Sequence, residues 1–451
     1  MKHFGPLASL CLSGQAQQCI AIRDRHEITR ETFIQQVTQL AQALSASPSQ
    51  RWALAFEDSY LFATAFFACA HAGKAIVLPG NLQQGALSEL SPHFDALLHD
   101  ERSDDLTHFP CLSLPLERVS DSGEAPLAKI TSLNLTLFTS GSSGSPKAVS
   151  KTLAQLQAEL FELECQWGTL LAGTQIQSTV SHQHIYGLLF RVLWPLSAGR
   201  PFHSRDLVYP EQVCNRADKN QVLVSSPALL KRITEQGGGQ YRAIFSSGGP
   251  LPFAAAQQNK QLLGILPLEV YGSTETGGIG FRQQTHENTS WQFFQGIDAQ
   301  LDKESCLAIL SPYIDPETWY QTADICEFGD GHTFTLKGRA DRIVKIEEKR
   351  VSLAEVEQRL CQSPWVTDAF SLLRQENERQ TIAAAVVLSA KGQQALTDNG
   401  AARFKLALRQ HLRDWLEPVA IPRQWRFVDA IPQNTQGKRQ VPAIEGLFTQ
   451  H

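Results

Sequence analysis

No two cysteines of this chain have the spacing of a metal clip. The nine are scattered at Cys11, Cys19, Cys69, Cys111, Cys165, Cys214, Cys306, Cys326 and Cys361. None forms a Cys-x-x-Cys pair, so neither a zinc site nor a disulfide framework is indicated. Free thiols fit a reducing compartment. Charge of one sign is not in excess either: 40 Lys and Arg against 45 Asp and Glu leave a net charge of −5. Without a basic stripe, nucleic acid is not an expected partner. Long apolar runs are also missing. The best, Tyr60 to Gly73, contains His71 and is too short to span a bilayer, which predicts a buried core helix and no membrane insertion. The opening Met1-Lys-His-Phe-Gly-Pro leads into only a brief apolar stretch, unlike a signal peptide. These absences together predict a cytoplasmic protein. There is no internal repeat and no low-complexity tract.

What is present is enough sequence for more than one core: 451 residues predict two domains. From about Trp52 to Glu275 short apolar runs alternate with turns and helical stretches. The runs include Ala75–Leu78, Leu133–Phe138, Val222–Val224, Ala243–Phe245 and Leu266–Tyr271. Such alternation predicts parallel sheets covered by helices, with ligands at the carboxyl ends of the strands. Polar, turn-rich sequence follows at Gln283 to Ser290 and Asp298 to Ser305. Beyond Arg339–Asp341 the character changes. Leu353, Val356 and Leu360 form an apolar helical stripe, and Thr381 to Ser389 reads as a buried strand. Phe404, Leu408, Leu412 and Leu416 recur at the spacing of one helix face. This last part reads as a small α+β module with its own core.

The most informative stretch is Leu137-Phe-Thr-Ser-Gly-Ser-Ser-Gly-Ser-Pro-Lys147. Glycines let successive N–H groups point into one concavity. Hydroxyls add short donors, and Lys147 adds a mobile positive charge. The apolar run before it reads as a strand and Leu153 to Leu163 after it as a helix, a setting in which anions bind. It is not a Walker A motif: Ser145 and Pro146 separate Gly144 from Lys147, and Ala148 stands where Ser or Thr would be. Taken alone, it fits a polyphosphate cradle of a kinase, an ATPase or another nucleotide enzyme, or a solvated linker.

Five separated motifs decide among these. In order they are Thr139-Ser-Gly-Ser-Ser-Gly-Ser-Pro-Lys147, His184-Ile-Tyr-Gly-Leu188, Tyr271-Gly-Ser-Thr-Glu275, Tyr320-Gln-Thr-Ala-Asp324 with Gly338-Arg-Ala-Asp341, and Asn434-Thr-Gln-Gly-Lys438. Ser247-Gly-Gly-Pro-Leu251 and Ala72-Gly-Lys-Ala-Ile-Val-Leu-Pro79 are weaker matches. Together they resemble the adenylate-forming superfamily of acyl-CoA synthetases, aryl-acid ligases, peptide-synthetase adenylation domains and luciferases. The resemblance covers nearly the whole chain. It implies an α/β fold: a large N-terminal domain of parallel-sheet αβα layers, residues 1–339, and a small mobile α+β C-terminal domain, residues 340–451, with a hinge near Asp341.

The resemblance also implies roles. Catalysis would fall to Lys438, Thr274, Glu275 and His184. ATP would be held by Thr139, Ser140, Gly141, Ser142, Ser143, Gly144, Lys147, Gly248, Tyr271, Gly272, Asp324 and Arg339. Within that set, Lys147 would sit on the β- and γ-phosphates and Thr274 on the α-phosphate. Tyr271 would stack on adenine, and Asp324 would accept the ribose hydroxyls. Glu275, a hard oxygen ligand, suits Mg²⁺ bridging phosphates. Lys438 would offset the repulsion between an attacking carboxylate and the α-phosphate, in a reaction governed by positioning and electrostatics. Rotation of the small domain would then bring the face around Lys345 to Arg350 against a pantetheine thiol.

Four residues depart from the family pattern. Ala148 and Ala323 replace glycines, and Glu347-Glu348 stand where Arg-Gly is usual, which bears on the acceptor. The acid pocket is expected between His184 and Tyr186, Ser247 to Gly249, and Val270 to Gly272, with aromatic walls and polar tips. Near Val270 no aspartate is placed to hold an α-amine, so a plain carboxylic acid, aryl or medium-chain, is favoured over an amino acid. Lys147-Ala-Val-Ser-Lys-Thr and Lys345-Ile-Glu-Glu-Lys-Arg-Val-Ser look most like stand-alone ligases of aryl-polyene and fatty-acid-like pathways. The expected acceptor is thus the phosphopantetheine of an acyl carrier protein, or CoA. The alternatives are a fatty acyl-CoA ligase and a non-catalytic nucleotide- or acyl-binding relative.

Overall fold

The structure is a computed structural model that describes residues 4–80, 82–100, 109–116, 126–140, 146–235, 238–339, 343–376, 379–432 and 441–449. It is a mixed α/β fold with a large N-terminal and a small C-terminal domain. By packing, the chain forms two units. One holds residues 1–80, 91–138 and 148–340. The other holds residues 81–90, 139–147 and 341–451.

The large unit is built on two sheets. A six-stranded sheet runs in the order Cys111–Leu114, Ala96–Asp100, Arg51–Ala55, Ala75–Leu78, Leu135–Ser140, Pro146–Lys151. Its first five strands pair in parallel. Arg51–Ala55, Ala75–Leu78 and Ala96–Asp100 are buried on both faces from their second residue on, as doubly covered strands are, and the edge strand Cys111–Leu114 is partly exposed. The helix Ser59–His71 is buried from Ser59 to Ala70, so it is a core helix and not a membrane segment. Asp58 starts it by accepting the N–H groups of Tyr60 and Leu61, at 2.9 and 3.1 Å. Among the described residues no helix is long and apolar enough to cross a membrane.

The second sheet has thirteen strands. At its centre Gln175–Ser178, Gln221–Ser225, Ala243–Ser246 and Leu268–Ser273 pair in parallel. Leu268–Ser273 then pairs antiparallel with Gly277–Gln283. From there the sheet continues through antiparallel strands to Tyr320–Gly329 and Thr333–Arg339. The change from parallel to antiparallel pairing falls at the Tyr271–Glu275 motif.

One local expectation is corrected. The strand before the glycine–serine loop is Leu135–Ser140, but no helix follows the loop directly. Pro146–Lys151 forms a neighbouring strand instead, and the helix Leu153–Trp167 begins only after it. The reason lies in Thr152 and Gln155. Thr152 Oγ1 accepts the Gln155 N–H at 3.2 Å, and Gln155 Oε1 accepts the Thr152 N–H at 2.9 Å. This capping box fixes the helix start at Leu153, and the preceding residues alternate as a strand does. The loop therefore joins two strands, and the argument from a helix N-terminus does not apply to it.

The small unit has its own cores. Val366–Glu376 and Arg379–Leu388 pair antiparallel, with Gln424–Phe427 added in parallel. The helices Leu353–Gln362 and Ala390–Arg413 pack through Val356, Leu360, Phe404, Leu408 and Leu412. The stripe of Phe404, Leu408 and Leu412 is thus a buried helix face. A hairpin of Ile343–Ile346 and Lys349–Ser352 precedes them, with Glu347-Glu348 as its turn. Glu347 has φ +56° and takes the left-handed turn position. Glu348 does not.

Candidate active site

The site of the large unit is assembled where three parallel strands end side by side. Ser225 pairs with Ser246, and Ser246 with Glu269. Their continuations are Ser226, Ser247 to Gly249, and Val270 to Glu275. Ser247 Oγ donates to the Val270 carbonyl at 2.8 Å, joining two of these ends. Gly248 has φ +94°, a backbone state that favours glycine.

His184 stands in extended conformation just before the short helix Ile185–Gly187, which runs on through a π-turn, Leu188–Leu193. Such turns break helix regularity and recur at functional sites. Tyr186 lies beside the Ser225 backbone, and burial pushes its phenol well above the usual range. Its ring packs on Phe190 at 4.9 Å between centroids, and Phe190 on Phe245 at 5.2 Å. The structure thus brings together the three segments expected to line the acid pocket. His182, absent from the sequence reading, is buried two residues before His184: its Nδ1 is 2.9 Å from Ser59 Oγ, and its ring lies 4.3 Å from that of Phe62.

Thr274 and Glu275 sit at the turn between Leu268–Ser273 and Gly277–Gln283. Ser273 and Thr276 lock that turn. The Ser273 N–H donates to Thr276 Oγ1 at 3.0 Å, and the Thr276 N–H to Ser273 Oγ at 3.2 Å. Gly272 is required there, since a Cβ would lie 2.2 Å from the Gly277 carbonyl oxygen.

Tyr271 is only 8 % exposed and packs on Trp291 and Phe334. Its hydroxyl donates to Asp324 Oδ2 at 2.6 Å. Asp324 in turn stands opposite Arg339 in the antiparallel ladder. Residues 53 positions apart, predicted separately, are thereby in direct contact.

Sequence reasoning also missed Lys151 and Glu159. Lys151 is 3 % exposed, and its Nζ donates to the carbonyls of Glu275 at 3.0 Å and Tyr313 at 2.8 Å. Burial pulls its ammonium down, and Glu159 and Glu275 oppose that. Glu159 is 4 % exposed and accepts the Gly278 N–H at 2.7 Å. Burial pushes its carboxyl up, and Lys151 and that hydrogen bond oppose it. The signal was the strand period: Val149 and Lys151 share the inward face of Pro146–Lys151.

Residues 141–145, Asp341 and Lys438 lie outside the described residues. Of the phosphate-loop set, Thr139 ends on an enclosed Oγ1 that has no hydrogen-bond partner among the described residues. That orphaned hydroxyl fits a site built for a polar ligand. Ser140 and Arg339 are in strands.

Residues 13–297 match the AMP-binding enzyme family, and residues 355–438 match its C-terminal domain. The chain belongs to the AMP-binding enzyme family, within the adenylate-forming superfamily. It is 25 % identical to an anthranilate–CoA ligase of Pseudomonas aeruginosa, over 91 % of this chain and 89 % of that protein. It is 26 % identical to a 4-coumarate–CoA ligase of Rhodobacter capsulatus, over 73 % and 80 %. In fold it resembles the amide bond synthetase McbA from Marinactinospora thermotolerans, with a TM-score of 0.83 at 19 % identity over 98 % of this chain and 99 % of that one. ATP-dependent activation of an acid is the chemistry of this superfamily.

Proposed function

We propose that the chain activates an aryl or medium-chain carboxylic acid as an acyl-adenylate, releasing pyrophosphate. It then transfers the acyl group to a phosphopantetheine thiol of an acyl carrier protein or of CoA. The observation that carries this reading is the 2.6 Å contact of Tyr271 with Asp324. It joins two separate family motifs where the sheet changes from parallel to antiparallel. The aryl preference rests on the aromatic contact of Tyr186 with Phe190 and on relatives such as the anthranilate and 4-coumarate ligases.

Asp324, with its carboxylate oriented by Tyr271, accepts the ribose hydroxyls. Little of the Tyr271 ring is exposed, so its first contribution at the nucleotide is through Asp324. Thr139, Ser140, Gly141, Ser142, Ser143, Gly144 and Lys147 take the leaving phosphates, and Thr274 the α-phosphate. Gly248 leaves room beside the nucleotide, and Gly272 lets the turn that carries Thr274 close against Gly277. His184 and Tyr186 hold the acid, and Lys438 offsets the charge that builds as its carboxylate attacks. Residues 340–451 act as a domain that turns about Asp341 to present Lys438 first and the thiol second.

Mg²⁺ fits this set. Among the described residues no three His, Cys, Asp or Glu side chains could form a metal cage. A single half-buried carboxylate at Glu275 suits an ion that keeps several waters and takes its other oxygens from phosphates. When bound, it would neutralise charge on the phosphates. The deciding test is thioester formation with CoA and with a phosphopantetheinylated carrier protein in parallel, across a panel of aryl and fatty acids. Thioester with at least one acceptor and one acid is expected. ADP as the product, or no thioester with any pair, would overturn the reading.

A further inference from the structure

We infer that Lys151 is a positioning residue that sets Glu275 for the metal–nucleotide complex, an inference that rests on reading Glu275 as the Mg²⁺ ligand. Three observations meet at this lysine. Its Nζ binds the main-chain carbonyl of Glu275 itself, at 3.0 Å. Its second bond, 2.8 Å to the Tyr313 carbonyl, ties that turn to the segment leading into the strand of Asp324. Glu159, the buried carboxylate coupled to it, holds the other side of the same turn through the Gly278 N–H at 2.7 Å.

The turn from Glu275 to Gly278 is therefore gripped from both ends by two buried polar side chains, Lys151 and Glu159. A carboxylate that meets a metal on phosphates must be held to within a fraction of an ångström, and its backbone is what this pair fixes. A buried lysine also costs desolvation that a methionine would avoid. The two carbonyl bonds offset that cost and hold the turn in place. Lys151 lies at the end of the strand that follows the phosphate loop. The grip thus links the chain that leaves the phosphates to the turn that carries the metal ligand.

The test is calorimetric binding of ATP, with Mg²⁺ and with EDTA, to the full-length protein and to Lys151→Met. In the wild type, Mg²⁺ should raise ATP affinity. In Lys151→Met that gain should shrink about tenfold, the scale of lost outer support at a metal ligand, while affinity in EDTA stays unchanged. Glu164→Gln is the control. It breaks the buried Arg200–Glu164 pair, at 2.8 Å, away from the turn, and should lower stability without touching the Mg²⁺ gain. If Lys151→Met does not fold, Lys151→Gln replaces it, with a polar head too short to span both carbonyls. A full Mg²⁺ gain in the lysine variant, or equal losses with and without metal, overturns the inference alone. A wild type with no Mg²⁺ gain removes the reading of Glu275 and the inference with it.

Discussion

Tyr271 shows how one side chain serves the site twice, as core and as polar anchor. Its ring packs on Trp291 and Phe334 while its hydroxyl fixes Asp324. Tyr271→Phe keeps the packing and removes one hydrogen bond to a charged acceptor. The KM for ATP should rise about tenfold, from a loss of roughly 1.5 kcal/mol, with little change in melting temperature. Steady-state kinetics at saturating acid measures this, and an unchanged KM would mean that Asp324 needs no help from Tyr271. A second residue-scale effect belongs to Glu355 at the start of the helix Leu353–Gln362. Burial, reinforced by Glu89 and Glu417 and opposed by Arg359, raises its carboxyl from 4.5 to about 7. Between those values the folded protein holds a proton that the unfolded chain has released. The contribution of Glu355 to stability is therefore greatest below pH 4.5 and is lost as pH rises through 7. Glu355→Gln should remove that slope and add on the order of 2–3 kcal/mol at pH 8, read by denaturant titration across pH. Unchanged slopes would contradict the shift. Sequence alone could name Asp324 by its motif. It could not name Tyr271 as its partner, because that pairing exists only once two distant strands share a sheet.

Among the elements, turns decide most. The hairpin turn at Glu347-Glu348 places Glu347 at φ +56°, a conformation that costs an L-residue about 1–2 kcal/mol. Glu347→Gly should therefore stabilise the small unit by up to about 1 kcal/mol, the gain being reduced by glycine's own entropy. Thermal melting checks this, and a destabilised variant would show that the glutamate makes contacts worth more than the strain. Gly272→Ala acts in the other direction, because its Cβ would meet the Gly277 carbonyl oxygen at 2.2 Å. It should cost about 1–3 kcal/mol and most of the activity; a wild-type melting temperature would contradict it. Elements with strong apolar patterns were legible in the sequence, as with Ser59–His71, Gln221–Ser225 and Arg379–Leu388. The extra strand Pro146–Lys151 was not. It is short, carries two lysines, and faces inward through Val149 and Lys151. That inward lysine reads as a surface residue until its carbonyl partners, contributed from Glu275 and Tyr313, are in place.

For the molecule as a whole, the motif order along the chain carried the fold class and the superfamily, because five short signals in one order specify a family that no single one of them does. It did not carry the identity of the acid, which depends on the shape of the pocket proposed above. Nor did it fix the acceptor. Lys438→Ala should reduce adenylation by several orders of magnitude while thioester formation from a supplied acyl-adenylate stays largely intact. Equal loss of both half-reactions would contradict a lysine used for the first alone. The central claim, that this chain joins a carboxylic acid to the α-phosphate of ATP, is tested most directly by ATP–pyrophosphate exchange. Exchange that appears only with particular acids from an aryl and acyl panel is the expected result. Absence of exchange with every acid, from a protein that binds ATP, would contradict it.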